Sequence, residues 1–493
     1  MRKNEQQIIT TDLVKSARAE ICRRSLFCFV QEFWGVIIQE NPVWNWHIPF
    51  LCEELQKLAI NLKERKPKPY DIIINIPPGT TKSTIVSVMF PAWLWTIDPT
   101  LRVISNSYSG DLSIELATKS KDIIDSDKYK SYFPNVIMRR DKNGKQHYEN
   151  DRGGFRYATS TGATITGYHA HIIINDDPVN PKQANSESMR ATANAHTQTL
   201  SSRKVNKENT PVVTIMQRLH EDDVTGYLLK KKGENVRHIC LPAELCENVS
   251  PQEVKKKYID GLLDPIRLSR SVLEEAKIDL GSVQYAGQYE QRPTVEGGNV
   301  VKAEWFKRIS LQEFNALRFN EPIHFYLDTA YKERNLSADN DPSGILAACK
   351  IGNNIYIVKA QRVWKSMPDL LRFIPDFMSS CGADGSSVLH VEPKANGESV
   401  VQMLEEYSNI NVKRTPTPTD SKMVRFVAVT PRIECGRTFI VEGDWTETYL
   451  DEVCAFPNAS HDEFVDITGY AINDLLNEDT FDYSSLDKSM FGL

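Results

Sequence analysis

The sequence lacks the features of membrane proteins, of secreted proteins and of small domains held together by a zinc ion. Its 493 residues contain no apolar run of about 18 residues, the length that spans a bilayer. The first residues, MRKNEQQ, are polar and unlike a secretory leader. The nine cysteines form no Cys-x-x-Cys pair, and no histidines stand beside them as in zinc sites. We therefore expect the cysteines to be reduced core residues of a cytoplasmic protein that is neither secreted nor attached to a membrane.

An excess of positive charge is also missing. The formal net charge is −6, so the chain lacks the overall positive charge that is typical of nucleic-acid-binding proteins. Any site for a polyanion must then be a local groove. Composition is otherwise ordinary, with 25% charged and 41% hydrophobic residues, and the length predicts two or three domains.

The most informative stretch is residues 71–84, which read DIIINIPPGTTKST. A β-branched apolar run stopped by Pro-Pro-Gly predicts a buried strand and a turn, and Lys82 opens a helical pattern. Such a turn cradles phosphates, with Lys82 reaching the terminal phosphates and a hydroxyl on Mg²⁺. The predicted nucleotide-binding residues of this loop are Pro78, Gly79, Thr80, Thr81, Lys82, Ser83 and Thr84. The standard spacing would place glycines at positions 76 and 81, so an ordinary turn with a solvated lysine remains the alternative.

A second motif, HIIINDDP at 171–178, is an apolar run that ends in two acids. Asp176 would hold the hydration shell of Mg²⁺, and Asp177 would orient or deprotonate the attacking water. The next strand pattern ends at Gln217, which together with Thr214 could sense the γ-phosphate; an ordinary strand end is the alternative. Strands that alternate with helices predict a mostly parallel sheet covered by helices on both faces.

Four other regions favour structural interpretations. Residues 1–60 are predicted to be helical, and their aromatic cluster around Trp34 and Trp44 is expected to be a packed cap rather than a contact to adenine. Residues 140–145 form a charged turn, and 155–167 have glycine and threonine at hairpin-like spacing. Residues 250–320 change character and predict a small helical subdomain and a linker.

A second fold begins near residue 323. The pattern predicts a strand ending at Asp328, a hairpin, a helix and a strand ending at Glu392. Further on, Asp462 and Asp466 are four residues apart and are expected to share one face of a helix. Single acids at strand ends are usually structural, but three acidic positions on this frame favour a nuclease with two divalent ions, Mg²⁺ or Mn²⁺.

These motifs, taken in order, resemble those of the large terminase subunits of tailed bacteriophages. The residues that carry the resemblance are 76–84 (IPPGTTKST), 172–178 (IIINDDP), 214–223 (TIMQRLHEDD), 288–293 (QYEQRP) and 461–466 (HDEFVD). The resemblance implies an α/β protein with an N-terminal P-loop ATPase of the additional-strand catalytic-glutamate type and a C-terminal ribonuclease H-like nuclease. The implied domains are 1–245 for the ATPase, 246–318 for a lid subdomain and linker, and 319–493 for the nuclease.

The resemblance also implies a role for each site. ATP hydrolysis with Mg²⁺ would drive double-stranded DNA into a procapsid, with residues 214–217 coupling hydrolysis to movement. Asp328, Glu392 and Asp462 or Asp466 would hold the two nuclease ions that cut concatemeric DNA. The implied partners are DNA, the portal protein, a small terminase subunit and further copies of the chain in a ring, in the host cytoplasm and transiently on the procapsid.

Two departures stand out. Thr81 replaces the usual glycine of the phosphate loop, and Asp177 stands where many members have glutamate. Two alternative functions remain open: a helicase-nuclease or recombination ATPase on the same two folds and not tied to a capsid, and a docking protein whose ATP site has decayed, which Thr81 and the missing glycines suggest. The arginine that completes the ATP site could be Arg102, Arg203 or Arg218.

Overall fold

The computed structural model describes residues 2–293, 300–329, 342–393, 397–416, 420–459 and 461–477. The chain divides into two compact units, the first formed by Met1–Lys277 and Val283–Val295 and the second by Ile278–Ser282 and Glu296–Leu493. No helix in the described ranges is long and apolar enough to cross a membrane. The cysteines are free; Cys22, Cys52, Cys240 and Cys349 are buried, whereas Cys435 is exposed and so is not the core residue that the sequence predicts.

The N-terminal part of the chain alternates strands and helices. Its strands are β1 (Asp71–Asn75), β2 (Val103–Ser107), β3 (Met138–Asn143), β4 (His147–Asn150), β5 (Phe155–Ser160), β6 (Ile172–Asp176), β7 (Val212–Met216) and β8 (Val236–Cys240). Its helices are α1 (Arg2–Arg24), α2 (Leu26–Ile37), α3 (His47–Lys63), α4 (Phe90–Ile97), α5 (Gly110–Asp125), α6 (Asp127–Tyr132), α7 (Glu187–Ser201), α8 (Val224–Lys232) and α9 (Arg270–Gln288).

The first sheet has eight strands in the order β3-β4-β5-β2-β6-β7-β1-β8. The strands from β5 to β8 along this order run parallel, whereas β3 and β4 are an antiparallel edge. All residues of β1, β2, β6 and β7 are buried, as expected for strands covered on both faces. β7 lies between β1 and β6, so it is the additional strand that separates the phosphate loop from the paired acids.

The edge of this sheet differs from the expectation. The charged stretch 140–145 falls at the end of β3, and β3 and β4 form the hairpin. The 155–167 stretch does not form a hairpin of its own. Instead β5 pairs parallel with β2 and antiparallel with β4. β5 is therefore an internal strand with a neighbour on each side.

The second unit is built on a seven-stranded sheet with the order β14-β13-β10-β11-β12-β15-β9. The strands are β9 (Lys307–Ile309), β10 (Ile323–Asp328), β11 (Ser343–Ile351), β12 (Asn354–Val363), β13 (Val388–Val391), β14 (Val412–Arg414) and β15 (Thr438–Val441). The helices are α10 (Leu311–Arg318), α11 (Met367–Ser380), α12 (Gly397–Tyr407), α13 (Lys422–Glu434), α14 (Thr446–Ala455) and α15 (Glu463–Asn477).

Helix α15 covers one face of this second sheet. It packs on β10, β11 and α13, and its apolar residues Phe464, Val465, Ile467 and Ile472 are buried in the core on that side. The opposite face is filled by α11 and α12 around Phe325, Phe377 and Leu389. The polar residues of α15 are thereby brought over the carboxyl ends of β10 and β13.

Candidate functional sites

The phosphate loop follows β1 and has an unusual backbone. Gly79 has φ of 75° and Thr81 has φ of 60°, both in the left-handed region. Glycine adopts this region at little cost, but a β-branched residue does not. The helical segment begins at Lys82 and passes through a π-helical turn at Thr84–Met89 before α4. The strand, turn and helix predicted at 71–84 are therefore all present.

The loop places its hydroxyl and ammonium groups against the two acids after β6. The Lys82 Nζ atom lies 3.3 Å from Asp177 Oδ1, and its side chain is only 8% exposed, so it is not a solvated surface lysine. Ser83 Oγ donates to Asp176 Oδ1 at 3.0 Å, and Ser87 Oγ donates to Asp176 Oδ2 at 2.5 Å. Ser83 and Asp176, which are 93 positions apart, thus meet where β1 and β6 end.

Asp176 is the most strongly perturbed acid of this site. Burial raises its pKa, the adjacent Asp177 carboxylate raises it further, and Ser87, Lys82 and Ser83 only partly offset both effects. A divalent cation would relieve the repulsion between the neighbouring carboxylates of Asp176 and Asp177. The oxygen atoms of Ser83 and Asp176 are hard ligands of the kind that Mg²⁺ prefers, so the residues present fit this ion.

The helical cap supports the phosphate loop directly. His47, at the start of α3, has Nε2 3.1 Å from the Thr80 carbonyl oxygen, and its Nδ1 lies 2.7 Å from the Asn45 side-chain nitrogen. Burial lowers the pKa of His47 to about 4, so the ring is neutral and donates to the carbonyl. Trp34 and Trp44 pack edge to face at 5.2 Å, in line with the expected packed cap. The sequence reasoning missed His47, for which the only signal is its place within the aromatic cluster.

The strand end after β7 carries the predicted γ-phosphate sensor. Gln217 is 8% exposed, and among the residues that the structure describes its Oε1 atom finds no hydrogen-bond partner; the same holds for Oγ1 of Thr214. The neighbouring Arg218 is held in its own loop, because Nε donates to both oxygens of the buried Asp223 at 3.0 and 3.2 Å. Its backbone N–H donates to Gln291 Oε1 at 2.9 Å, which joins the QYEQRP motif to this strand end.

The second site gathers acids at the ends of two paired strands. β10 and β13 are parallel with Leu327 opposite Val391, so Asp328 and Glu392 follow at equivalent positions on neighbouring strands. Both line one cleft, together with Tyr326, Leu327, His390, Thr415, Ile467 and Tyr470. The pKa of Asp328 is raised to about 7, first by burial and then by the carboxylates of Asp466 and Glu392. These acids fit divalent cations, which would relieve the repulsion between them.

Helix α15 begins at Glu463, directly after Asp462, and the Asp466 backbone N–H donates to the Asp462 carbonyl oxygen at 3.3 Å. Both acids reach the same lysine. Lys422 Nζ lies 2.6 Å from Asp462 Oδ1 and 2.8 Å from Asp466 Oδ2. Arg425 adds a second contact, 2.6 Å from Asp466 Oδ1. Neither basic residue of α13 was predicted, since nothing local in the sequence relates α13 to α15.

A comparison with known protein families gives a match in the region of the second site. Residues 386–475 match the family model described as the terminase RNaseH-like domain. This part of the chain is similar to the ribonuclease H-like domain of terminases. The matched segment runs from before β13 into α15 and so contains Glu392, Asp462 and Asp466, and the resemblance to large terminase subunits is confirmed.

Solved terminase structures also match the chain, at low identity. The large terminase of a thermophilic bacteriophage is 13% identical, with 86% of this chain and 98% of that chain covered and a TM-score of 0.48. The HK97 bacteriophage large terminase is 10% identical, with 92% and 99% covered and a TM-score of 0.36. The human cytomegalovirus terminase nuclease domain is 15% identical, with 34% and 88% covered and a TM-score of 0.27. No curated protein matches the chain.

Proposed function

We propose that the protein is a viral DNA-packaging motor in which ATP hydrolysis moves double-stranded DNA into a procapsid and a two-metal endonuclease cuts concatemeric DNA. The observation that carries the proposal is that each of the two sheets gathers acids where its strands end, one set beside a phosphate loop and the other in a terminase ribonuclease H-like domain.

In the first site, Lys82 would exchange its contact with Asp177 for the terminal phosphates of ATP, since a triphosphate carries more negative charge than one carboxylate. Ser83 and Asp176 would hold Mg²⁺, which neutralises the charge that develops on the phosphates. Asp177, released from Lys82, would orient the attacking water. Gln217 would donate from its amide nitrogen to the γ-phosphate or accept from this water at its buried Oε1, which has no other partner in the described part of the chain.

In the second site, Asp328 and Glu392 would hold the two divalent ions, Mg²⁺ or Mn²⁺, with Asp466 or Asp462 completing the set. Bound ions supply a nucleophilic water and stabilise the leaving 3′ oxygen. Lys422 and Arg425 position Asp466 from α13. Tyr470 donates to Glu392 Oε2 at 3.4 Å and so orients that carboxylate.

We also propose a domain organisation for the chain and a set of protein partners. The ATPase would occupy 1–245, the lid and linker 246–318 and the nuclease 319–493. The chain would act in the host cytoplasm as a ring of copies, transiently on the portal protein of the procapsid, with a small terminase subunit that recognises the DNA.

The dependence of ATP hydrolysis on procapsids and on DNA tests this proposal against its alternatives. We expect portal-bearing procapsids with linear double-stranded DNA to stimulate ATP hydrolysis and to protect the DNA from added nuclease. Full stimulation by free forked DNA, with no effect of procapsids, would contradict the proposal and favour a helicase-nuclease. Calorimetry with ATP and Mg²⁺ tests the docking alternative, since a decayed site would show no binding heat.

A further inference from the structure

A buried group of nitrogen and oxygen ligands lies beside the nuclease acids in the second unit. It consists of His324 on β10, His390 on β13 and Asp474 on α15, with one potential ligand atom from each lying within 4.8 Å of the others. His324 Nδ1 and His390 Nε2 are 3.2 Å apart, and His390 Nδ1 is 3.4 Å from Asp474 Oδ2. The histidines are 6% and 2% exposed. Two imidazoles in a protein interior need a defined polar partner, because an unsatisfied buried nitrogen is costly.

The distances suit a four-coordinate transition metal. With metal–nitrogen bonds of about 2.0 Å, two ligands of a tetrahedral site are about 3.3 Å apart, close to the 3.2 Å between His324 Nδ1 and His390 Nε2. The Asp474 contact at 3.4 Å is to the other nitrogen of His390, and an ion would use one of the two, with one ligand atom of each residue within 4.8 Å of the others. Tyr326 donates from Oη to Asp474 Oδ2 at 2.9 Å, which holds the carboxylate in the way that outer-shell donors orient metal ligands. The Asp474 side chain is 29% exposed and gives an ion a route from solvent.

The chemistry of the ligands separates this group from the nuclease site. Imidazole nitrogens favour zinc and its neighbours in the first transition row, whereas the acids at Asp328 and Glu392 favour Mg²⁺ or Mn²⁺. Along β10, residues 324, 326 and 328 point to one face of the sheet, so His324 and Asp328 are about 13 Å apart along the strand. His390 and Glu392 are related in the same way on β13, at about 7 Å.

We propose that His324, His390 and Asp474 bind one transition-metal ion of the zinc class, separate from the nuclease ions. This ion would tie α15 to β10 and β13. These three elements carry Asp466, Asp328 and Glu392, respectively, so the ion would fix the spacing of the nuclease acids without contacting DNA. Its role is to position the catalytic residues.

Cobalt absorption tests the proposal on the full-length protein. After chelation and in excess Mg²⁺, which fills the carboxylate site, Co²⁺ should bind with a stoichiometry of one per chain and give the strong visible absorption of four-coordinate cobalt with nitrogen ligands. Zn²⁺ should displace it and abolish the absorption. Asp474→Asn, which keeps the shape of the side chain, should weaken Co²⁺ binding at least about tenfold, and His390→Ala should abolish it.

Two control variants make the result specific. Asp328→Asn removes a nuclease acid and should keep the absorption, and His169→Ala removes an exposed histidine of the first unit and should also keep it. Zn²⁺ should raise the unfolding temperature of the wild type and of His169→Ala but not of Asp474→Asn. A wild-type protein without the absorption, or its loss in Asp328→Asn, would overturn the proposal and leave His324, His390 and Asp474 as a hydrogen-bonded chain only.

Discussion

At the scale of single residues, the phosphate loop is strained at Thr81, where the standard motif has a glycine. Thr81 has φ of 60° where a glycine would be unstrained. The left-handed conformation costs an L-residue about 1–2 kcal/mol, and this cost is met by contacts elsewhere in the loop, among them the hydrogen bond of 2.8 Å from Thr80 Oγ1 to the Pro77 carbonyl. The sequence pattern predicts this strain, because Thr81 stands at the position of a glycine in the standard spacing.

We predict that Thr81→Gly is more stable than Thr81→Ala by about 1 kcal/mol, since only glycine relieves the backbone strain while both lose the same hydroxyl. Denaturant unfolding of the two variants measures this difference. Thr84 is a matched control because it is helical, and there the order should reverse, with Ala more stable than Gly by about 1 kcal/mol. The same order at both positions would contradict the interpretation.

Lys422 is a residue that the sequence could not assign. It lies between two acids, and although burial lowers its pKa, the charges of Asp466 and Asp462 more than offset this and raise it. The acids at strand ends were predictable because a strand pattern shows where the strand stops. A lysine on another helix reaches them only through the packing of α13 on α15, which no local pattern reports.

We predict that Lys422→Met binds Mn²⁺ about fivefold more tightly at the nuclease site, because removing a nearby positive charge lowers the free energy of binding by about 1 kcal/mol. Calorimetric titration with Mn²⁺ measures this. Lys302→Met, at an exposed lysine of the same unit, is the control and should not change the affinity. Weaker binding by Lys422→Met would show that the lysine acts chiefly by orienting Asp466.

At the scale of elements, α15 depends on an acid from the preceding helix. Glu452 of α14 accepts from the Phe464 backbone N–H at 2.6 Å and contacts Arg362 at 3.3 Å. Burial nevertheless raises its pKa to about 7, with the backbone hydrogen bond and Arg362 acting in the opposite direction. The spacing of Asp462 and Asp466 predicts a helix here, but it does not predict the contact from Glu452 to the first turn, because that contact comes from another helix.

The raised pKa of Glu452 predicts a pH dependence. The folded protein holds this proton more tightly than the unfolded chain, whose pKa is near 4.5, so the stabilising contribution is complete below that value and is lost as pH rises through about 7. Glu452→Gln mimics the neutral acid. Its stability relative to the wild type should therefore increase between pH 5 and pH 8.

Urea unfolding of both proteins at the two pH values measures this change. Glu447→Gln, at an exposed position of the same helix, is the matched control, and its stability relative to the wild type should be the same at both pH values. A constant difference between Glu452→Gln and the wild type would contradict the assignment of this pH dependence to Glu452.

At the scale of the whole molecule, the chain contains two α/β units, each with its own sheet and its own acids. The order of strand ends, turns and acids along the sequence was enough to predict both sheets and the meeting of Lys82 with Asp176 and Asp177. It was not enough to find His47 under the phosphate loop, which depends on how α3 packs against that loop. Nor did it find the group formed by His324, His390 and Asp474, which depends on β10 and β13 becoming neighbours under α15. Sequence patterns report periodicity along one segment, and strand order is decided by packing between segments.

The most direct test is a crossed measurement of two activities on two variants, ATP hydrolysis and cleavage of plasmid DNA by Lys82→Ala and Asp328→Ala. We predict that Lys82→Ala loses ATP turnover and still cuts DNA, whereas Asp328→Ala hydrolyses ATP and does not cut. If either folded variant loses both activities, or if Asp328→Ala still cuts, the assignment of one chemistry to each unit is wrong.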